Sequence, residues 1–457
     1  MRFRKQIERD MDALVQSLAR CIQIPSVYRE DDSGYPYGQP VQDCLTYMLE
    51  LAQSMGFATQ NLDNQLGWCE YGDGQEMVAV LGHLDVVPEG DGWTVPPYGG
   101  LVHDGRIYGR GAMDDKGPTV AALYALKALR DAGVPLQRRI RIIFGLNEET
   151  GSADMKYYAA HGGQVPVMGF TPDGEYPVIN GEKGLINETY TCRLDQAGPL
   201  TLREMSGGTA HNIVPNHAWA VFDCPAALTE QILAMQAEGI TVIRTADGVR
   251  IEAEGIGAHG GTPEEGVNAN GRLVLFLDRL PLSGQLATAI HFLAQKLGME
   301  YDGASLGIAM ADEASGPLTN NFGVLRSNGQ ELEVKLNYRY PVTGHFDQCG
   351  PQVQAAFEAA GFCQTAASHK KALYMPADSR LVRRLMQVYT DCTGEPAQPK
   401  SIGGGTYAKM LPNVVAFGPI FPGDEVREHK PDEFMELERL LDNAAILAQA
   451  MYALAVD

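Results

Sequence analysis

The string GHLDVVPEGDGW, Gly82 to Trp93, follows the apolar run MVAVL and carries an imidazole and a carboxylate one residue apart, His83 and Asp85. Ligands of open α/β sheets bind at the carboxyl ends of strands, so this placement marks a candidate site. A histidine satisfied by its neighbours in a core would read the same way if it stood alone. It does not stand alone. GRGAMDDKGPTVAALYAL sets Asp114 and Asp115 immediately before a helical pattern, where adjacent carboxylates either favour the helix N-terminus or hold a hard cation.

IIFGLNEETGS ends another apolar run with Glu148 and Glu149. Successive strand side chains point to opposite faces, so one acid can ligate a metal while its neighbour reaches the water beside it. Asp173 in FTPDGEYPV and His429 in FGPIFPGDEVREHKPDEF complete the set. Two histidines with three or four carboxylates suit a pair of divalent ions with mixed nitrogen and oxygen ligation. One shared cation site explains these residues better than a separate structural reason for each.

The elements that must position them are legible in outline. QIERDMDALVQSLARCI places Ile7, Met11, Leu14 and Leu18 on one helical face, with Pro25 as a stop. QEMVAVLGHLD, GPTVAALYALKALRDAG and RRIRIIFGLNEE read as strand, helix and strand, the pattern of a parallel sheet with crossover helices. From about Leu185 the texture changes to alternating strands such as LINETYTCRLD, HAWAVFDC, VIRTADGVRIEAEG and QELEVKLNYRYPV. After MPADSRLVRRLMQVYTDCTG come Gly-rich loops and a final helix within DEFMELERLLDNAAILAQAMYALA.

Composition excludes some classes of function. With 36 Lys and Arg against 57 Asp and Glu, the net charge of -21 disfavours nucleic acid and anionic membranes, which need basic surface. Charges scattered through the first 27 residues leave no apolar signal or anchor segment, so a cytoplasmic location is expected. Eight cysteines without a C-x-x-C pair read as reduced packing residues.

Taken in order, GHLDVVP, GRGAMDDKGP, NEETGS, TPDGEYPV and EVREHKPDEF resemble the M20 metallopeptidase family. NGEKG, NIVPN, NYRYP and GGGTYAK point within it to the dipeptidase V, carnosinase-like (Xaa-His dipeptidase) branch. The likeness covers nearly the whole chain.

It implies a two-domain α/β fold: a phosphorylase/hydrolase-like catalytic domain with a mostly parallel sheet flanked by helices, carrying an inserted α+β lid domain. The expected boundaries are 1–184 and 374–457 for the catalytic domain and 185–373 for the lid. By the resemblance, His83, Asp114, Glu149, Asp173 and His429 bind two metal ions, with Asp114 bridging and joined to Asp115 by a cis peptide. Zinc suits these ligands, and manganese or cobalt also fits.

The resemblance makes Glu148 the general base that activates a metal-bridging water, and Asp85 the acid that orients His83. Asn212 and His259 would stabilise the oxyanion; Arg339 would grip the substrate carboxylate, with the backbone of Gly404 and Gly405 assisting. The expected substrate is an amino- or β-alanyl-dipeptide, and the expected state is a monomer. A deacylase or carboxypeptidase of the same family, and a metal-binding protein without catalysis, are the alternatives.

Gly255, Gly257 and Gly260 also spell a G-x-G-x-x-G fingerprint, with Asp278 near the spacing of a ribose-binding acid. A lone fingerprint is weak, and no prompt second strand completes a βαβ unit after it. No G-x-x-x-x-G-K-[ST] phosphate loop is present.

Overall fold

A computed structural model describes residues 1–456. The chain divides into two compact units, one of residues 1–180, 375–400 and 405–457, the other of residues 181–374 and 401–404. Segment 401–404, read from the sequence with the catalytic domain, groups with the second unit.

The first unit is built on a mixed sheet. Its strands run in the order Ala58–Leu62, Leu66–Tyr71, Arg139–Gly145, Met77–His83, Met168–Thr171, Val414–Ala416 and Ile179–Glu182. The four in the middle are parallel. Both edges turn antiparallel, which the expectation of a mostly parallel sheet did not anticipate. The cause at one edge is local: Asp63 and Asn64 have φ of 53° and 59° and Gln65 N–H returns to the Leu62 carbonyl. Two left-handed residues in a tight turn make a hairpin, and a hairpin pairs its strands antiparallel.

Met77–His83 is buried along its whole length, as a central parallel strand must be. Helix Lys116–Asp131 is rich in Ala and Leu, strong helix formers, and carries Pro118 in its first turn, where a proline is tolerated. Helix Leu437–Ala455 packs against it, and Leu123, Leu126, Ile446, Leu447 and Met451 are fully buried. Each such side chain contributes about 1.5–3 kcal/mol by leaving water. The single amino-terminal helix expected from periodicity is two helices, Arg4–Arg9 and Met11–Ile22, joined at Asp10; Ile7, Leu14 and Leu18 are still buried.

The second unit holds an eight-stranded sheet in the order Ile240–Arg244, Gly248–Glu254, His217–Asp223, Thr201–Gly207, Thr319–Ser327, Glu331–Tyr340, Gly184–Arg193 and Cys363–Lys370. All its pairings are antiparallel. The glycine fingerprint lies in the irregular stretch between strand Gly248–Glu254 and helix Ala269–Leu277. Without parallel strands or a helix opening at the glycines, the dinucleotide reading has no structural context.

Candidate active site

The carboxyl ends of the parallel strands of the first unit bring the sequence's acids and imidazoles together. His83 ends one strand and pairs in register with Gly145, the end of the next, from which the chain runs to Glu148 and Glu149. Asp173 follows the strand Met168–Thr171. Asp114 precedes helix Lys116–Asp131, and its peptide bond to Asp115 is cis.

Asp114 lies between two imidazoles. Its Oδ1 is 2.9 Å from His83 Nε2 and its Oδ2 is 3.0 Å from His429 Nε2. His429 Nε2 also lies 3.1 Å from Glu149 Oε1, and His83 Nε2 lies 3.8 Å from Asp173 Oδ2. His83, Asp114 and Glu149 offer ligand atoms that all fall within 4.8 Å of one another. His429 itself has φ of 59°, a left-handed conformation that costs a non-glycine residue on the order of 1 kcal/mol.

The hydrogen bonding shows what such a cluster lacks. His83 Nδ1 lies 2.9 Å from the Asp85 carbonyl, which accepts its proton and leaves the Nε2 of a neutral ring as a bare lone pair. That lone pair and Asp114 Oδ1 are both buried and neither makes a hydrogen bond. Two electron-rich atoms held 2.9 Å apart in a buried place repel unless something electropositive serves both. The residues therefore fit a divalent cation.

Electrostatics of the protein alone point the same way. Burial pushes the Asp173 and Glu149 carboxyls up, and Asp114 adds to the effect. His429 is raised to about 11 by Asp114 and Glu149. Burial works against charge on His83, but Asp114 and Asp85 overcome it and raise its pKa. Protons are drawn in to meet a demand for positive charge.

Asp85 has more than one task. Its main-chain carbonyl takes the His83 Nδ1 proton, while its carboxylate stands 3.4 Å from that nitrogen. The carboxylate oxygens accept from the backbone N–H groups of Glu148 and Glu149, both at 3.1 Å. The side chain thus fixes the backbone that carries both glutamates, a role the sequence did not suggest.

Other roles were missed. Asp115 makes no cap hydrogen bond to its helix; its carboxylate accepts from His83 N–H at 3.0 Å and from the Thr119 hydroxyl at 2.9 Å. Gly82 is bare because an added Cβ would overlap the Thr119 hydroxyl. Fully buried Glu433 accepts from the N–H groups of Gly111, Met113 and Asp114 and pairs with Arg110 at 2.7 Å. It ties the Asp114 loop to the segment that carries His429. Its only sequence signal was its position four residues after His429.

In the second unit, Asn212 and His259 are neighbours: Gly260 N–H donates to the Asn212 carbonyl at 2.7 Å, and Ile213 bridges to His259. Gly261 N–H donates to His259 Nδ1 at 3.3 Å, which leaves the proton of a neutral ring on Nε2. Arg339 is 2% exposed. It donates to the Gly403 carbonyl at 2.8 Å and to Asn337 Oδ1 at 3.1 Å, and its Nη2 lies 3.5 Å from His259 Nε2. Among the described residues no carboxylate pairs with it, and burial lowers its pKa to about 10. Gly403 therefore faces Arg339; Gly404 belongs to the same unit, and Gly405 to the first.

The peptidase family M20/M25/M40 matches residues 79–453, a span that includes every one of these residues. The chain belongs to that family. M20 membership makes it a hydrolase that cleaves peptide-type bonds. It is 37% identical to YtjP of Bacillus subtilis strain 168 over the whole of both chains. With the Beta-Ala-Xaa dipeptidase of Lactobacillus delbrueckii subsp. lactis it shares 32% identity over 100% of this chain and 99% of that one. The aminoacylhistidine dipeptidase of Vibrio alginolyticus has the same fold, with a TM-score of 0.62 at 16% identity over 96% of this chain and 95% of that one.

The eight cysteines are free thiols, and no helix among the described residues is long and apolar enough to cross a membrane.

Proposed function

We propose that this M20 peptidase is a dipeptidase that uses two divalent ions held by His83, Asp114, Glu149, Asp173 and His429. The observation that carries the reading is Asp114, with one carboxylate oxygen against each of two imidazoles. Bound there, such ions would polarise a peptide carbonyl and make water nucleophilic at neutral pH. Zinc is the first expectation for this ligand set, with manganese or cobalt as substitutes.

The remaining work falls to the chain's own side chains. Glu148, its backbone held by Asp85, takes the proton of the attacking water and delivers it to the leaving amine. Asn212 and the Nε2–H of His259 stabilise the oxyanion, with burial and then the positive charge of Arg339 favouring the neutral imidazole. Arg339, buried with no acidic partner among the described residues, grips the carboxylate of the substrate, assisted by the backbone at Gly404 and Gly405.

The second unit then acts as a lid domain. A carboxylate anchored at a set distance from the cleaved bond limits the substrate to a dipeptide. The Beta-Ala-Xaa activity named for the Lactobacillus relative favours β-alanyl dipeptides among these. A monomer in the cytoplasm completes the reading, and eight free thiols support that location.

The test is hydrolysis by chelated protein supplied with zinc, manganese or cobalt, beside Glu148→Ala. The substrates are a β-alanyl dipeptide, a tripeptide and an N-acyl amino acid. Metal-restored cleavage of the dipeptide, lost in the variant, supports the proposal. Preference for the N-acyl amino acid overturns it in favour of a deacylase, and tight metal binding without turnover in favour of a binding protein.

A further inference from the structure

Four successive backbone N–H groups, those of residues 146 to 149, are bound by two buried carboxylates. Asp85 takes the last two. Asp154, fully buried, takes the first two: its Oδ2 accepts from Leu146 N–H at 2.7 Å and Asn147 N–H at 3.2 Å. The backbone from which Glu148 and Glu149 project is therefore set by carboxylates on both sides.

The Asp154 carboxylate is itself held. The hydroxyl of Tyr407, fully buried, donates to the same Oδ2 and accepts from Asn147 N–H at 3.2 Å. The Tyr407 ring packs edge-on against the His83 imidazole, with centroids 5.9 Å apart and planes at 89°. Gly145, the register partner of His83, leaves room for that ring, because an added Cβ would overlap it. Downstream, the Thr406 hydroxyl accepts from Ala408 N–H at 3.1 Å and so shapes the turn that delivers Tyr407. One phenol thus touches both the histidine at the end of one strand and the loop at the end of the next.

We infer that Tyr407, acting with Asp154, is a positioning residue that holds His83 and the Glu148–Glu149 backbone in one geometry for metal binding and catalysis. The inference rests on the proposed metal-dependent reaction. A tyrosine that only filled space would need no hydroxyl there. A hydroxyl that both donates to a buried acid and accepts from the active loop is an oriented linkage, the kind of outer contact that tunes metal ligands.

Tyr407→Phe retains the ring and removes the linkage; Asp154→Asn alters it from the other side. For each, zinc affinity is measured by competition with a chromophoric chelator. Steady-state dipeptide hydrolysis is measured at saturating zinc, normalised to the folded fraction from circular dichroism. The expected result is zinc affinity weakened 10- to 100-fold and kcat lowered by a similar factor, with KM within about twofold. If either variant fails to fold, the other supplies the result.

Zinc affinity and kcat both within twofold of the parent, with only the unfolding temperature lowered, would reduce Tyr407 to packing and overturn the inference. The zinc arm also reads the linkage if the parent cleaves no dipeptide, so loss of the proposed function would not be mistaken for loss of this one.

Discussion

Replacing Arg339 with methionine should leave the stability of the free protein nearly unchanged while removing substrate recognition. Burial lowers the guanidinium pKa to about 10 from its ordinary 12.5. That gap corresponds to about 3 kcal/mol by which folding disfavours the charged form. The group is 2% exposed, so water screens little of this cost.

Against it stand two hydrogen bonds from the charged group, to the Gly403 carbonyl and to Asn337 Oδ1, at about 1.5 kcal/mol each. The two terms nearly cancel, and methionine of similar length fills the space without charge, so Arg339→Met should change stability by less than about 1 kcal/mol. Urea denaturation in the absence of substrate measures this. In turnover, two charged hydrogen bonds to a substrate carboxylate are worth about 3 kcal/mol or more, roughly 100-fold in kcat/KM. The parent should therefore prefer a dipeptide over its carboxy-terminal amide by about that factor, and the variant should cleave both at the same slow rate. Destabilisation beyond about 1 kcal/mol, with the parent's preference retained, would show Arg339 to be a satisfied structural residue and refute the argument.

Three further outcomes are expected. Glu148→Gln should lower kcat by roughly 10² to 10⁴ while zinc titration shows unchanged stoichiometry, because only proton transfer is removed. Gly145→Ala should cost about 1–3 kcal/mol in chemical denaturation and weaken zinc binding, since its methyl group displaces Tyr407 from beside His83. Burial raises the Asp154 carboxyl to about 6 from 3.8, so its protonated form favours the folded state. Its contribution is full below about pH 4 and lost as pH rises through about 6, on the order of 3 kcal/mol in all. Asp154→Asn should remove that slope from a plot of stability against pH, and an unchanged slope would contradict the assignment.

Much of the first unit could be read directly because its signals are local. MVAVL is a continuous apolar run, so Met77–His83 had to be a buried strand, and the residues at its end had to stand at the edge of a sheet. The acid pairs at 114–115 and 148–149 could be recognised as chemistry but not divided by spacing. Asp115 hydrogen-bonds to the backbone of His83, and Asp114 faces two imidazoles; only the fold distinguishes them. The antiparallel edge escaped because it depends on the left-handed turn at Asp63–Asn64, a weak signal beside the strong alternation of strand and helix. The same holds for Asp10, where one periodic face hides a break between two helices.

The amino-acid sequence by itself determined the residue types of the site, the strands that end in them and membership of the M20 family, since hydrophobic period and motif order are properties of neighbours along the chain. Tertiary structure alone decided the partners. Glu433 lies more than 300 residues from Asp114, and Tyr407 more than 250 from Asp154, yet each closes a buried hydrogen-bond network. A buried donor or acceptor is costly without a partner, but that requirement names no residue until folding has excluded water and brought distant segments together.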